Sequence, residues 1–238
     1  MLSPEMTAIL RDLHDVGPPL GADCASVLGI DDLVVSLAVN GQITEQLWSS
    51  GKTGSAFEDL QFTLGEGPGP DALRCREAAF APDVAATGPP RWPNLIAAMA
   101  HLPIRAVFCL PLALGGITVG VLTGLRSTPG HMTGQEMDDA LGLAAALTLQ
   151  SLGGAEKRID GQEDTLPRGE LHRAVVHQAT GMLSVQLALP LSEALLRLRA
   201  YAFSRDRPIT AAAEDVVSRR LRLDDDRSRP DPPKEPRG

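Results

Sequence analysis

Aromatic side chains are scarce, with two Trp, one Tyr and five Phe in 238 residues, so a core here must be built from Leu, Val, Ala and Ile. Cysteine is scarcer. Cys24, Cys75 and Cys109 are odd in number and widely spaced, which excludes a disulfide framework and leaves no CxxC or Cys/His ligand pattern for zinc. They are expected as reduced thiols. No run of about eighteen uncharged apolar residues occurs, so no membrane span is expected. Residues 1–15 lack a basic stretch ahead of an apolar run, so no secretory signal is expected and the chain is placed in the cytoplasm. Dinucleotide-binding, Walker, HExxH and nucleophile-elbow patterns are all missing. The five histidines (His14, His101, His131, His172 and His177) show no metal-ligand spacing. With no acid–base or nucleophile constellation, the chain is not expected to be an enzyme, and no metal or cofactor is expected.

What is present is an uneven distribution of charge. The net charge of -8 divides into -11 over residues 1–167 and +4 over 168–223, with -1 in the remainder. An acidic body carrying a small basic module suggests that the module meets a polyanion while the body does something else.

Hydrophobic periodicity divides the chain further. Residues 1–21 carry a short amphipathic helix, with Met6, Ile9, Leu10 and Leu13 on one side. Residues 22–152 have the pattern of an α/β domain. Strands are predicted over 33–39 and 44–49, on either side of the Asn40-Gly41 hairpin signal, and over 106–112 and 118–125, around Gly115-Gly116. A helix follows over 132–152. Residues 153–169 combine Gly153-Gly154, Gly161 and Pro167 with many charges, which predicts a semi-flexible linker. Residues 170–223 give an all-α three-helix bundle. Its first helix runs to Leu187 and is stopped by Pro190, its second is capped by Ser192, and its third is capped by Thr210. Residues 224–238 are proline-rich and charged, and disorder is predicted.

The basic module places its chemistry at helical spacing. On the second helix Arg197, Tyr201 and Arg205 recur every four residues, and Tyr201 is the sole tyrosine. A cation, an aromatic ring and a cation in a row suit an unpaired RNA loop, whose bases stack on aromatic or guanidinium planes while cations meet phosphates. Arg173, His177, Thr180 and Ser184 share one face of the first helix. Two plainer readings compete: a solvated helix face, and arginines placed late in helices to suit the helix dipole.

Residues 177–217 resemble the ANTAR domain of bacterial transcription antitermination regulators of actinobacterial type. The matching positions are Gln178-Ala179, Gly181-Met182, Ser192-Glu193-Ala194, Leu198-Arg199, Ala202 and the helix over 213–217. The resemblance implies a three-helix domain that binds paired RNA hairpins in nascent transcripts and prevents terminator formation. The family often has Lys where this chain has Thr180. Candidate RNA contacts are Arg173, His177, Arg197, Arg199, Tyr201, Arg205 and Arg207, with Gly181 allowing close approach; Arg199 has a structural alternative, bracing the bundle.

Residues 22–152 resemble a GAF domain, a small-molecule sensor with an antiparallel sheet flanked by helices. The resemblance is carried by Leu64-Gly65-Glu66-Gly67-Pro68-Gly69, Ala81-Pro82-Asp83-Val84, Arg91-Trp92-Pro93, Leu110-Pro111-Leu112 and Gly120-Val121-Leu122. Relatives often have Cys where this chain has Gly69, which argues against a thiol-linked cofactor. Glu66, Gly67 and Trp92 are candidate ligand contacts for an unidentified small molecule, with a plain turn and a core aromatic as the alternatives.

The expectation is a GAF–ANTAR regulator that responds to a signal, binds RNA and acts as a homodimer, without membrane contact. Three rivals stand beside it: a GAF-fold thiol reductase using Cys75 or Cys109, a helical bundle that binds a protein partner, and a helix-turn-helix that binds DNA.

Overall fold

Alternating apolar residues build the centre of the first of two compact units, Met1–His172 and Arg173–Gly238. The structure is a computed structural model, and it describes residues 1–11, 18–39, 41–86, 91–159, 173–205 and 207–223. In the first unit β1 (Asp32–Val39), β2 (Gln42–Ser49), β3 (Ala79–Ala81), β4 (Ala106–Leu114) and β5 (Ile117–Arg126) form one sheet in the order β2-β1-β5-β4-β3. Every neighbouring pair is antiparallel. Gly115, at φ 58°, closes the β4–β5 hairpin in which Leu114 faces Ile117. Gly120 is required by the β1–β5 approach: a Cβ there would lie 2.3 Å from the Ser36 carbonyl oxygen.

The period-two rule sends successive residues of β4 to opposite faces. Phe108 and Leu110 join a core with Met6, Cys24, Leu28 and Leu143. Val107 and Cys109 join a second core with Phe57, Leu73, Trp92 and Leu95. The first face is covered by α1 (Pro4–Arg11), α2 (Pro18–Val27) and α6 (Gly134–Ile159), and the second by α3 (Lys52–Leu64), α4 (Pro68–Cys75) and α5 (Pro93–Ala98). The architecture is therefore an antiparallel five-stranded sheet flanked by helices, as expected from the sequence.

Several boundaries differ from the sequence reading. Where it predicts one helix in 1–21, the structure has α1 and α2, and α2 crosses into the segment set apart as the sensor. Pro18 cannot continue a preceding helix but suits the first turn of a new one. Helix α6 runs through Gly153-Gly154 to Ile159, so the predicted linker begins inside a helix. The segment Ala155-Glu156-Lys157-Arg158 consists of strong helix formers, which offsets the two glycines. The rest of that linker, residues 160–169, and the tail 224–238 lie outside the described residues.

The second unit contains α7 (Ala174–Leu187), α8 (Leu191–Ser204) and α9 (Ile209–Val217). Val176, Ala179 and Leu183 of α7, Ala194, Leu198 and Ala202 of α8, and Ala212, Ala213 and Val216 of α9 are buried. The chain bends by 107° between α7 and α8. The N-cap positions of α8 and α9 belong to Pro190 and Pro208, not to Ser192 and Thr210, and neither cap uses a side-chain hydrogen bond. Each proline holds extended backbone, and its carbonyl accepts the first helical bonds: Ala194 donates to Pro190 at 3.0 Å and Ala212 to Pro208 at 3.2 Å. Among the described residues no single helix is long and apolar enough to cross a membrane.

Candidate nucleic-acid interface

The second unit sorts its arginines by environment. Arg197 is exposed on α8 and Arg205 is exposed at its C-cap, with Tyr201 half-buried between them. The Arg205 guanidinium lies 5.7 Å from the centre of the Tyr201 ring, within cation–π range. The predicted row on α8 is thus assembled, and two of its members face solvent.

The other predicted contacts are placed differently. Arg173, at the N-cap of α7, is only 1% exposed, so phosphate contact there would need the chain to open. Burial, and secondarily the nearby Arg173, lower the Arg199 guanidinium to about 10 from its ordinary range. Arg173 lies in the interior of the unit and Arg199 is half-buried near it. Arg207 donates to Asp215 Oδ2 at 2.8 Å, while Arg220 Nε donates to Asp215 Oδ1 at 2.9 Å. These bonds raise the Arg207 pKa and lower that of Asp215. Arg207 thus ties the α8–α9 connection to α9. His177 is exposed on α7.

Gly181 stands apart from the α8 row. A Cβ at this position would meet nothing within 4 Å, so packing inside the unit does not demand glycine in mid-helix. Beside it opens a groove of about 900 Å³ lined also by Gln178, Met182, Arg219 and Arg222. In the sequence Arg219 and Arg222, with Arg205 and Arg220, are late-helix cations for which the helix dipole is the plainer alternative. Their convergence depends on Arg219 taking the left-handed φ of 60° after α9, and no periodicity signals that turn.

In the first unit Glu66, Gly67 and Trp92 come together at the α3–α4–α5 junction, each with a structural partner. Glu66 Oε1 accepts the Leu95 N–H at 2.7 Å, satisfying the first turn of α5. Gly67, at φ 139°, precedes α4, and a Cβ there would lie 2.4 Å from Gln61 Oε1. That same oxygen accepts the Gly69 N–H at 2.8 Å, so the amide of the turn points into the protein. Gln61 continues inward to the buried Glu58, which also accepts from the Thr123 hydroxyl at 2.8 Å. Trp92 is 6% exposed and donates its Nε1–H to Asp71 at 2.9 Å, with the Arg91 guanidinium 4.3 Å from its ring centre. The turn and core-aromatic alternatives therefore describe what these residues do in this structure. The cavities of about 410 and 260 Å³ in this unit are lined by other residues.

The cysteines are arranged unlike a thiol active site. Cys24 and Cys109 are buried and Cys75 is exposed. Burial pushes the Cys24 thiol up to about 11 and Cys109 further, the latter also facing the negative charge of Glu58. Among the described residues no group of three or more His, Cys, Asp or Glu is arranged to hold a metal.

No protein-family model matches the chain, and no curated protein matches it. Solved structures similar to about two thirds of it include GAF domains. The GAF domain of a phosphoenolpyruvate-protein phosphotransferase from Coxiella burnetii is 17% identical, covering 66% of this chain and 96% of that one at a TM-score of 0.47. The corresponding Acinetobacter domain is 12% identical, covering 67% and 96% at 0.47. GAF3 of Slr1393 from Synechocystis sp. PCC6803 is 17% identical, covering 66% and 99% at 0.46.

Proposed function

We propose that the chain is a signal-responsive regulator whose basic C-terminal unit binds RNA hairpins and acts in transcription antitermination, while the N-terminal unit is a sensor for a small molecule. The observation that carries this reading is the row Arg197, Tyr201 and Arg205 along α8 and its C-cap, with both cations exposed, in a unit of opposite charge sign to the rest of the chain. Guanidinium groups bind phosphates and base edges in a bidentate manner, and the half-buried Tyr201 ring beside Arg205 offers a planar surface to an unpaired base. The ANTAR resemblance over 177–217 supplies the expected target, paired hairpins, and the GAF resemblance supplies the sensing role.

The test is the affinity of the full chain for tandem RNA hairpins, duplex DNA and scrambled RNA. Hairpin-selective binding that falls at least ~10-fold in the Arg197→Ala/Arg205→Ala variant supports the reading, at about 1–3 kcal/mol per lost contact. Equal affinity for all three nucleic acids, or none for any, contradicts it.

A homodimer fits a target of two hairpins. Leu141 and Leu149 are 53% and 59% exposed on α6, two turns apart, and offer an apolar stripe to a second copy. Light scattering of the full chain is expected to give twice the 25.2 kDa mass. A monomer that persists with RNA bound rules the dimer out.

A further inference from the structure

We propose that the groove between α7 and α9 is a pocket for one unpaired RNA base, with cations gripping the phosphates beside it. The inference rests on the RNA-binding reading above and adds a second contact region to the α8 row. The groove is open, about 900 Å³, and is lined by Gln178, Gly181, Met182, Val216, Arg219 and Arg222 among others.

Two lining residues break the local rule for their backbone position. Gly181 sits inside α7, where any ordinary side chain favours the helix more, and the space above it is open. Arg219 holds a φ of 60°, where glycine is the comfortable residue, yet it carries a long cation. Departures from local preference gather where function requires them, and both of these face one groove. The absent side chain at Gly181 leaves flat helix surface for a planar base to approach. The retained side chain at Arg219 supplies charge.

The remaining lining fits the same ligand. Met182 and the exposed Val185 provide apolar contact for a base face. The exposed Gln178 amide offers a donor and an acceptor together, as reading a base edge requires. Gln186 donates to the Leu223 carbonyl at 2.7 Å, which holds the segment after α9 beside α7. Asp215 accepts from the Arg220 guanidinium, while Arg219 and Arg222 are exposed. Residues 173–223 carry eight arginines against four acids, so the surroundings attract a polyanion. A base stacked within a duplex cannot enter the groove. The proposal therefore commits to a loop or bulge.

The experiment uses the full chain and hairpin RNA carrying 2-aminopurine in its loop, with a blunt RNA duplex of equal length as the control. Gly181→Leu projects a side chain into the groove from a position where a Cβ meets nothing within 4 Å and favours the helix, and Arg219→Gly removes the cation while relaxing its backbone. Neither variant is expected to lower the melting temperature. Gly181→Leu is expected to weaken hairpin binding ~10-fold or more while leaving duplex affinity unchanged. It is also expected to abolish the 2-aminopurine fluorescence rise seen with the unaltered protein. Arg219→Gly with Arg222→Ala is expected to lower the slope of log K against log salt by about 1.4, as for two single-strand phosphate contacts. Groove variants that bind hairpins like the parent, while Arg197→Ala/Arg205→Ala fails, overturn the groove proposal and leave the RNA reading standing. If the unaltered chain binds no hairpin, both fall, and the groove is then a protein-docking surface.

Discussion

Arg197 and Arg205 reach solvent, whereas Arg173 is 1% exposed and Arg199 is held in a partly desolvated site beside it. Four arginines that look alike in the sequence therefore divide into exposed and enclosed ones, and only three-dimensional placement separates them. The Asp215 clamp is a second case. Arg207 and then Arg220 lower the Asp215 pKa, so the carboxylate stabilises the fold above its unfolded value of about 3.9. The contribution is lost as the pH falls through the depressed folded value. Asp215→Asn is accordingly expected to lower the thermal midpoint at pH 7 and to lower it less near pH 3. An equal loss at both pH values would assign the effect to packing. Thiol accessibility makes a separate prediction. Alkylation of the folded chain at pH 8 is expected to modify Cys75 alone, with Cys24 and Cys109 reacting only after denaturation; mass spectrometry counts the adducts.

Helices and strands were legible in proportion to how cleanly their inner faces are apolar. β1, β4 and β5 alternate or run apolar, and their hairpin glycines mark the turns, so the sheet was visible before its topology was. Helix α3 was not visible. Its buried residues include Phe57 and Phe62 but also Glu58 and Gln61, which hydrogen-bond inside the protein and erase the apolar period. Helix α4 begins Pro68-Gly69-Pro70, a turn signature that here supplies a helix start. The α8 row was legible because four-residue spacing alone defines it, but the groove beside α7 was not, because it depends on the left-handed turn at Arg219. Gly181 gives this scale its own prediction. Gly181→Ala enters open space on a helix, so it is expected to stabilise the protein by about 0.5–1 kcal/mol in urea unfolding. A loss of stability would show that the glycine serves packing after all.

Across the whole chain, an acidic first unit and a basic second unit carry opposite net charge, which suits the proposed division between a sensor and a polyanion-binding part. Their opposite charge makes nucleic-acid affinity strongly dependent on salt if the second unit is the binder. The salt dependence of hairpin RNA affinity, compared between the full chain and its Arg197→Ala/Tyr201→Ala/Arg205→Ala variant, tests the central claim most directly. The account predicts a straight line of log K against log salt for the parent and a weaker, shallower one for the variant, with the slope reduced by about 1.4–1.8 for two lost phosphate contacts. A slope and affinity unchanged in the variant would contradict it.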